Sequence, residues 1–321
     1  MNYKTEAVKT TVVAKAKVGW SQQFWYAIKK DWRLYSLLFL PLLHYIVFQY
    51  IPMYGVIIAF RRYQPGGAVY GSEWVGLRYF RMFFRDHGFW RAFRNNLVIS
   101  IEYLVISFPF PIIFALLLNE LKNFKFKRIV QTVSYLPHFI STVIIVGMLK
   151  EMLSPSIGII NMALKALTGN TIDFLSEPRW FRTIYIASGI WQQLGWNSII
   201  YLAALSNINP ELYDAAKVDG ANRFRQTQYV TIPGILPTVM ILLTLNIGSL
   251  MSVGFEKILL LYSPLTYETA DVISTFLYRM GLINNNYSLG AAVGLFNSII
   301  GVILLTSANF LSKRTTDSGL W

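Results

Sequence analysis

The residues with binding chemistry lie inside apolar runs. Gln192, Gln193, Asn197 and Ser198 cluster around Trp191 and Trp196 in the run 183–205, and Asn246, Ser249 and Ser252 interrupt the run 235–255. Side-chain amides in apolar surroundings need partners, which a neighbouring helix supplies. Amides beside aromatic faces are also how proteins hold sugars. Both readings stand for Gln193, Trp196, Asn197, Asn246 and Ser249. Catalytic chemistry finds less support. The histidines, His44, His87 and His138, are three in number and far apart, and there is no cysteine. A Gly-rich phosphate loop followed by Lys-Ser/Thr is absent, as are a His-Glu-x-x-His helix and a Gly-x-Ser-x-Gly elbow. The chain therefore expects no cofactor or metal of its own, and any energy it uses comes from a partner.

A second polar feature stands between those two runs, over residues 207–233. Pro210 suits a first helical turn, where its missing N–H costs nothing, and Glu211 and Asp214 lie near the positive end of the helix dipole. After two turns Asp219-Gly220 offers a residue that turns left-handed without a Cβ clash. A second amphipathic segment follows, and Pro233 is expected to end it. Ala215 and Ala216 permit close approach of another surface, and Asp214, Lys217, Arg223 and Arg225 offer charges for pairing. The unit reads as a helix, a glycine turn and a helix, built to dock.

The elements that position these residues are membrane spans. Of 321 residues, 54% are hydrophobic and 14% charged, with a mean hydropathy of +0.43, against about 25% charged in a soluble domain. The fold class is all-α, a polytopic membrane protein with about six spans, near 34–60, 97–118, 129–149, 183–205, 235–255 and 289–311. Residues 1–33 form a basic tail interleaved with Trp20, Phe24, Trp25 and Trp32, suited to the inner membrane interface. Residues 315–321 form a C-terminal tail. The net charge of +13 is scattered over loops beside apolar runs, which fits anionic lipid rather than nucleic acid. Arg78, Arg81 and Arg85 recur at helical spacing within 74–94, an amphipathic stretch whose basic face meets outer headgroups, an acidic sugar or a binding protein. Glu102 is expected to pair with an arginine, and Glu256 with its neighbour Lys257.

The spacing Asp214-Ala215-Ala216, Gly220 and Val230-Thr231-Ile232-Pro233 resembles the EAA motif of binding-protein-dependent ABC importer permeases, with Asp for Glu, Val for Ile and Ile for Leu. The stretches 50–55, 259–272 and 287–296 resemble the LplB-type branch of carbohydrate permeases. The resemblance implies the type I importer (MetI-like, MalF-like) fold. It implies that Asp214, Ala215, Ala216, Gly220, Arg223, Phe224 and Pro233 couple the chain to an ATPase, and it aligns Gln193, Trp196 and Asn246 with the family's substrate positions. Two more of those positions fall on apolar Leu250 and Val253. Implied partners are a second homologous permease, two cytoplasmic ATPase subunits holding ATP and Mg, and an external binding protein, with the chain in a bacterial inner membrane and both termini cytoplasmic. The implied cargo is an oligosaccharide. An ion-coupled secondary transporter is the alternative. It expects acids within the spans and an inverted repeat, whereas Glu102 is the one acid placed inside a span.

Overall fold

The computed structural model describes residues 25–26, 29–68 and 70–316, with the side chains of 315 and 316 left aside. Most of the basic tail and the residues after Thr316 lie outside that range. Residues Met1–Val56 and Ile57–Trp321 form two separate units. In the first, the helical run α1 (Trp32–Phe60) begins, apolar throughout and with none of its most apolar window buried. Pro41 lies inside it, and a π-turn over Ile46–Tyr50 precedes Pro52. That wider turn, closed by the Ile51 N–H donating to the Ile46 carbonyl, accommodates a residue that has no N–H to donate.

Among the described residues the second unit is built of helices and their connections, with one antiparallel ribbon, β1 (Arg61–Arg62) with β2 (Glu73–Trp74). The stretch around Arg78, Arg81 and Arg85 is interrupted. Helix α2 (Arg78–Phe84) stops, and Asp86 caps a new helix by accepting from the Gly88 N–H at 2.7 Å. That helix, α3 (His87–Glu120), carries Pro109 and Pro111 near its middle. The run 129–149 is also not one helix. Segment α4 (Phe124–Phe139) and α5 (Thr142–Leu153) meet at 97°. Pro137 sits in a 3-10 turn, Ile140 is extended, and Ser141 caps α5. A proline followed by an extended residue and a fresh N-cap ends one helix and starts another.

Helix α6 (Ile159–Thr168) is short and α7 (Pro178–Ser206) is long, with 29 residues or about 43 Å of rise. After α8 (Pro210–Val218), α9 (Arg223–Gly248) runs straight past Pro233. The expected stop fails because a π-turn over Thr227–Thr231 precedes that proline, as in α1. Helix α9 then unwinds at Ser249, short of the predicted end at 255. Helices α10 (Phe255–Leu261), α11 (Tyr267–Ala270) and α12 (Ile273–Ile283) follow, and α13 (Tyr287–Thr316) closes the chain. Among the described residues four helices, α1, α3, α9 and α13, are long and apolar enough to cross a membrane, and the bent pair α4 and α5 adds a fifth if counted as one.

Three apolar clusters bind the second unit. Phe83 and Phe89 meet at 4.6 Å between ring centres and both pack on Phe296 of α13. Ile99, Val146, Ile186 and Ile258 join α3, α5, α7 and α10. Ala115, Tyr201 and Ile235 join α3, α7 and α9. Glycine sets the closest approach. A Cβ at Gly195 would lie 2.2 Å from the Ser134 carbonyl oxygen, so α7 crosses α4 only where a side chain is missing.

Candidate functional site

Three neighbouring hollows of about 280, 200 and 130 Å³ lie beside α3 and α7, the first also against α5 and α10 and the other two against the end of α9, and Tyr103 of α3 borders all of them. The first is lined by Gln192, Gln193 and Lys257, the second by Asn246, Ser249 and Tyr185, and the third by Asn197, Asn246 and Ser107. The structure thus brings together Gln193, Asn197, Asn246 and Ser249. Trp196 lies outside this lining and meets it through a neighbour. Its ring stacks on His138 at 4.2 Å and 3° between planes, and His138 Nδ1 meets Gln193 Oε1 at 2.9 Å. Gln193 is therefore held by a histidine that is itself fixed by stacking.

The polar lining keeps capacity for a ligand. Asn246 donates to the Leu242 carbonyl at 2.8 Å, which uses an N–H and leaves its carbonyl oxygen free. Asn197 is exposed, and its side chain makes no hydrogen bond among the described residues. Beyond Gly248 the unwound backbone is pinned from α3. Ser100 Oγ donates to the Leu250 carbonyl at 2.5 Å and Asn96 to the same oxygen at 3.3 Å. The Gly254 N–H donates to Tyr185 Oη at 3.2 Å. Irregular backbone is tolerated in an apolar bundle where it lines a cavity or is buried in protein.

Sequence reasoning missed Tyr103, Tyr185 and Lys257. Each lies next to or near a feature already noted, but only tertiary packing directs them to one space. Glu102 does meet an arginine, Arg182 of α7, at 3.3 Å. The Glu256–Lys257 pair does not form. Lys257 is buried while Glu256 is exposed, since adjacent helical residues point about 100° apart. Arg78, Arg81 and Arg85 line a separate depression of about 670 Å³.

At the other end of α7, the polar loop has the geometry its residues dictate. Asn209 caps α8 by accepting from the Glu211 N–H at 3.0 Å. Gly220 is left-handed at φ +77°, its N–H donates to the Lys217 carbonyl at 3.0 Å, and the Ala221 N–H to the Ala216 carbonyl at 2.8 Å. Those two bonds form a Schellman motif. Asn222 then caps α9 through the Arg225 N–H at 2.9 Å. Among the described residues Asp214 pairs with Lys217 alone, at 2.8 Å, and Ala215 is exposed. Arg223 reaches Glu120 at the end of α3 at 3.1 Å, and Tyr213 reaches Thr231 at 3.0 Å. Val218 is 88% exposed and Phe224 77% exposed. Both apolar side chains are therefore open to contact from outside the chain.

The family model described as binding-protein-dependent transport system inner membrane component matches residues 107–317. The chain is 42% identical to Protein LplB of Bacillus subtilis (strain 168), covering 92% of this chain and 93% of that one. It is 41% identical to the polygalacturonan/rhamnogalacturonan transport system permease protein YteP of the same organism, with 90% of each chain covered. Among solved structures, a bacterial ABC transporter involved in the import of the acidic polysaccharide alginate contains a chain matching at a TM-score of 0.85 and 43% identity, covering 92% of this chain and 99% of that one. The same comparison finds the bacterial alginate ABC transporter in complex with its alginate pentasaccharide-bound periplasmic protein at a TM-score of 0.86 and 42% identity, covering 93% and 100%.

Proposed function

This chain belongs to the family of binding-protein-dependent transport system inner membrane components, and from that premise we propose that it is one permease half of an ATP-driven importer of oligosaccharides, uronate-containing ones among them. The observation that carries the reading is the loop from Asn209 to Thr231. It presents exposed Val218 and Phe224 on a glycine-turned helix pair, and Arg223 ties it to the end of α3. A separate motor gripping Asp214, Ala215, Ala216, Gly220 and Phe224 would move α3 and α9 together. Pro233, beyond the π-turn of α9, lets that movement bend the helix rather than break it.

In this reading α7 is a sixth span, and the loop lies on the cytoplasmic side with both termini. Two ATPase subunits hold the ATP and Mg, a second permease completes the pore, and an external binding protein delivers the sugar. Closing of the ATPase dimer shifts the loop, and the hollows around Tyr103 open first outward and then inward. Gln193, Asn197, Asn246 and Ser249 offer hydrogen bonds to sugar hydroxyls as the ligand passes. The acidic cargo is drawn from the relatives whose names specify polygalacturonan, rhamnogalacturonan and alginate. The ion-coupled alternative is weakened by Glu102, whose carboxylate is engaged by Arg182. Reconstitution of the full complex in proteoliposomes tests the proposal. Binding protein loaded with an oligouronate should stimulate ATP hydrolysis and sugar entry together. Entry driven by a proton or sodium gradient without ATP would overturn it.

A further inference from the structure

Lys257 is a buried cation without a carboxylate. It is 8% exposed, and among the described residues no acid lies within ion-pairing distance of it. What it has instead is the face of Tyr185, with Nζ 5.4 Å from the ring centre. A ring quadrupole offsets only part of the cost of taking an ammonium out of water. The cost is real here, because burial pulls the lysine down from 10.5 to about 8. Chains usually avoid such a residue or pair it.

The same side chain borders the hollow of about 280 Å³, the size of a single sugar ring, together with Gln192, Gln193, Thr142 and Tyr103. Amides and hydroxyls on this lining suit sugar hydroxyls, and the tyrosines offer ring faces. Glu256 also borders the hollow, but it is exposed and turned from Lys257. Arg78, Arg81 and Arg85 line a different depression, so they do not supply charge to this space. We propose that Lys257 is a carboxylate-binding subsite in the translocation path, engaging the acid group of a uronate unit while Gln192 and Gln193 engage its hydroxyls. The inference rests on the oligosaccharide-importer reading and adds the residue that would make the path selective for acidic units.

The test compares two probes in the reconstituted complex with its binding protein, an oligogalacturonate and its methyl-ester form, which replaces each charged carboxylate by a neutral ester one methyl group larger. Wild type should favour the acid. Lys257→Met should lower the acid-to-ester uptake ratio about tenfold, the scale of one lost charge-assisted contact. Lys257→Arg should keep most of the ratio, and Glu256→Gln should keep or raise it. Equal loss of both probes in Lys257→Met with no recovery in Lys257→Arg would make the lysine a structural group and overturn the subsite. An unchanged ratio in Lys257→Met would overturn it as well. A wild-type complex that imports neither probe would instead remove the importer reading on which the subsite depends.

Discussion

Arg223, in the first turn of α9, holds Glu120, in the last turn of α3, at 3.1 Å although the two are 103 positions apart. The pair fastens the polar loop to a second long helix at the point where the loop re-enters the bundle. Both side chains are exposed, so the bond adds at most about 1 kcal/mol to stability. In the proposed mechanism its value lies in direction, since a pull on the loop would reach α3 as well as α9. Arg223→Glu should leave thermal stability in detergent nearly unchanged yet lower the sugar transported per ATP hydrolysed. The double exchange with Glu120→Arg should restore part of that ratio. A full ratio in the single variant would show that the pair carries no force.

The stack of Trp196 on His138 makes the placement of Gln193 sensitive to a residue outside the cavity. Aromatic stacking is worth about 0.5–1.5 kcal/mol, so Trp196→Ala should raise the half-saturating sugar concentration by about two- to tenfold. His138→Phe keeps the stack and removes the bond to Gln193, and it should give an effect of similar size. If His138→Phe transports normally, Gln193 is not positioned through the histidine.

Asp271 organises the segment between α11 and α12. Its carboxylate is fully buried, Arg279 donates to both oxygens at 2.7 Å, and Arg91 of α3 and Thr275 add further bonds at 3.4 and 2.8 Å. Removing one partner of a buried pair leaves the other charge uncompensated, at a cost of about 3–5 kcal/mol. Asp271→Asn should lower the unfolding temperature of the purified complex clearly, and more than any change in the exposed Arg223–Glu120 pair.

How far the sequence reveals this molecule differs between its two ends. The loop is written locally: Pro210 at a first turn and Gly220 at φ +77° each follow from the residue itself, while the caps Asn209 and Asn222 emerged from the structure. The membrane class follows from composition and run length. The bend between α4 and α5 was not legible as a break, because Pro137 alone is tolerated within a span, as Pro41 is in α1. Pro233 misled in the opposite sense, since a π-turn cannot be read from Thr227–Thr231. Gln193, Asn197, Asn246 and Ser249 were visible as polar breaks in apolar runs. Tyr103 and Lys257 were not, because their roles come from which helices pack around them.

The lowered pKa of Lys257 gives transport a pH signature. Its folded value of about 8 lies below the ordinary 10.5. The folded chain therefore gains stability from this group as pH rises from about 8 towards 10.5, and loses that gain as pH falls through 8. Anion binding follows the opposite course, because the charge that attracts a carboxylate is present below 8 and lost above it. The other ionisable groups on the lining are Glu256, Tyr103 and Tyr185. Uptake of an acidic oligosaccharide should fall as the outside pH is raised past about 8, and Lys257→Arg, which keeps its charge, should flatten that profile. An identical fall in both would assign the titration to another group.

The central claim is that a glycine-turned loop transmits work from a motor to a bundle that has no engine of its own. Gly220 has open space around it but a left-handed backbone, which a β-branched residue adopts only with strain of about 1–2 kcal/mol. The direct test is substrate-stimulated ATPase activity of the reconstituted complex carrying Gly220→Val. Normal membrane insertion with stimulation and uptake lost together is the predicted result. Full stimulation with normal uptake would contradict the account.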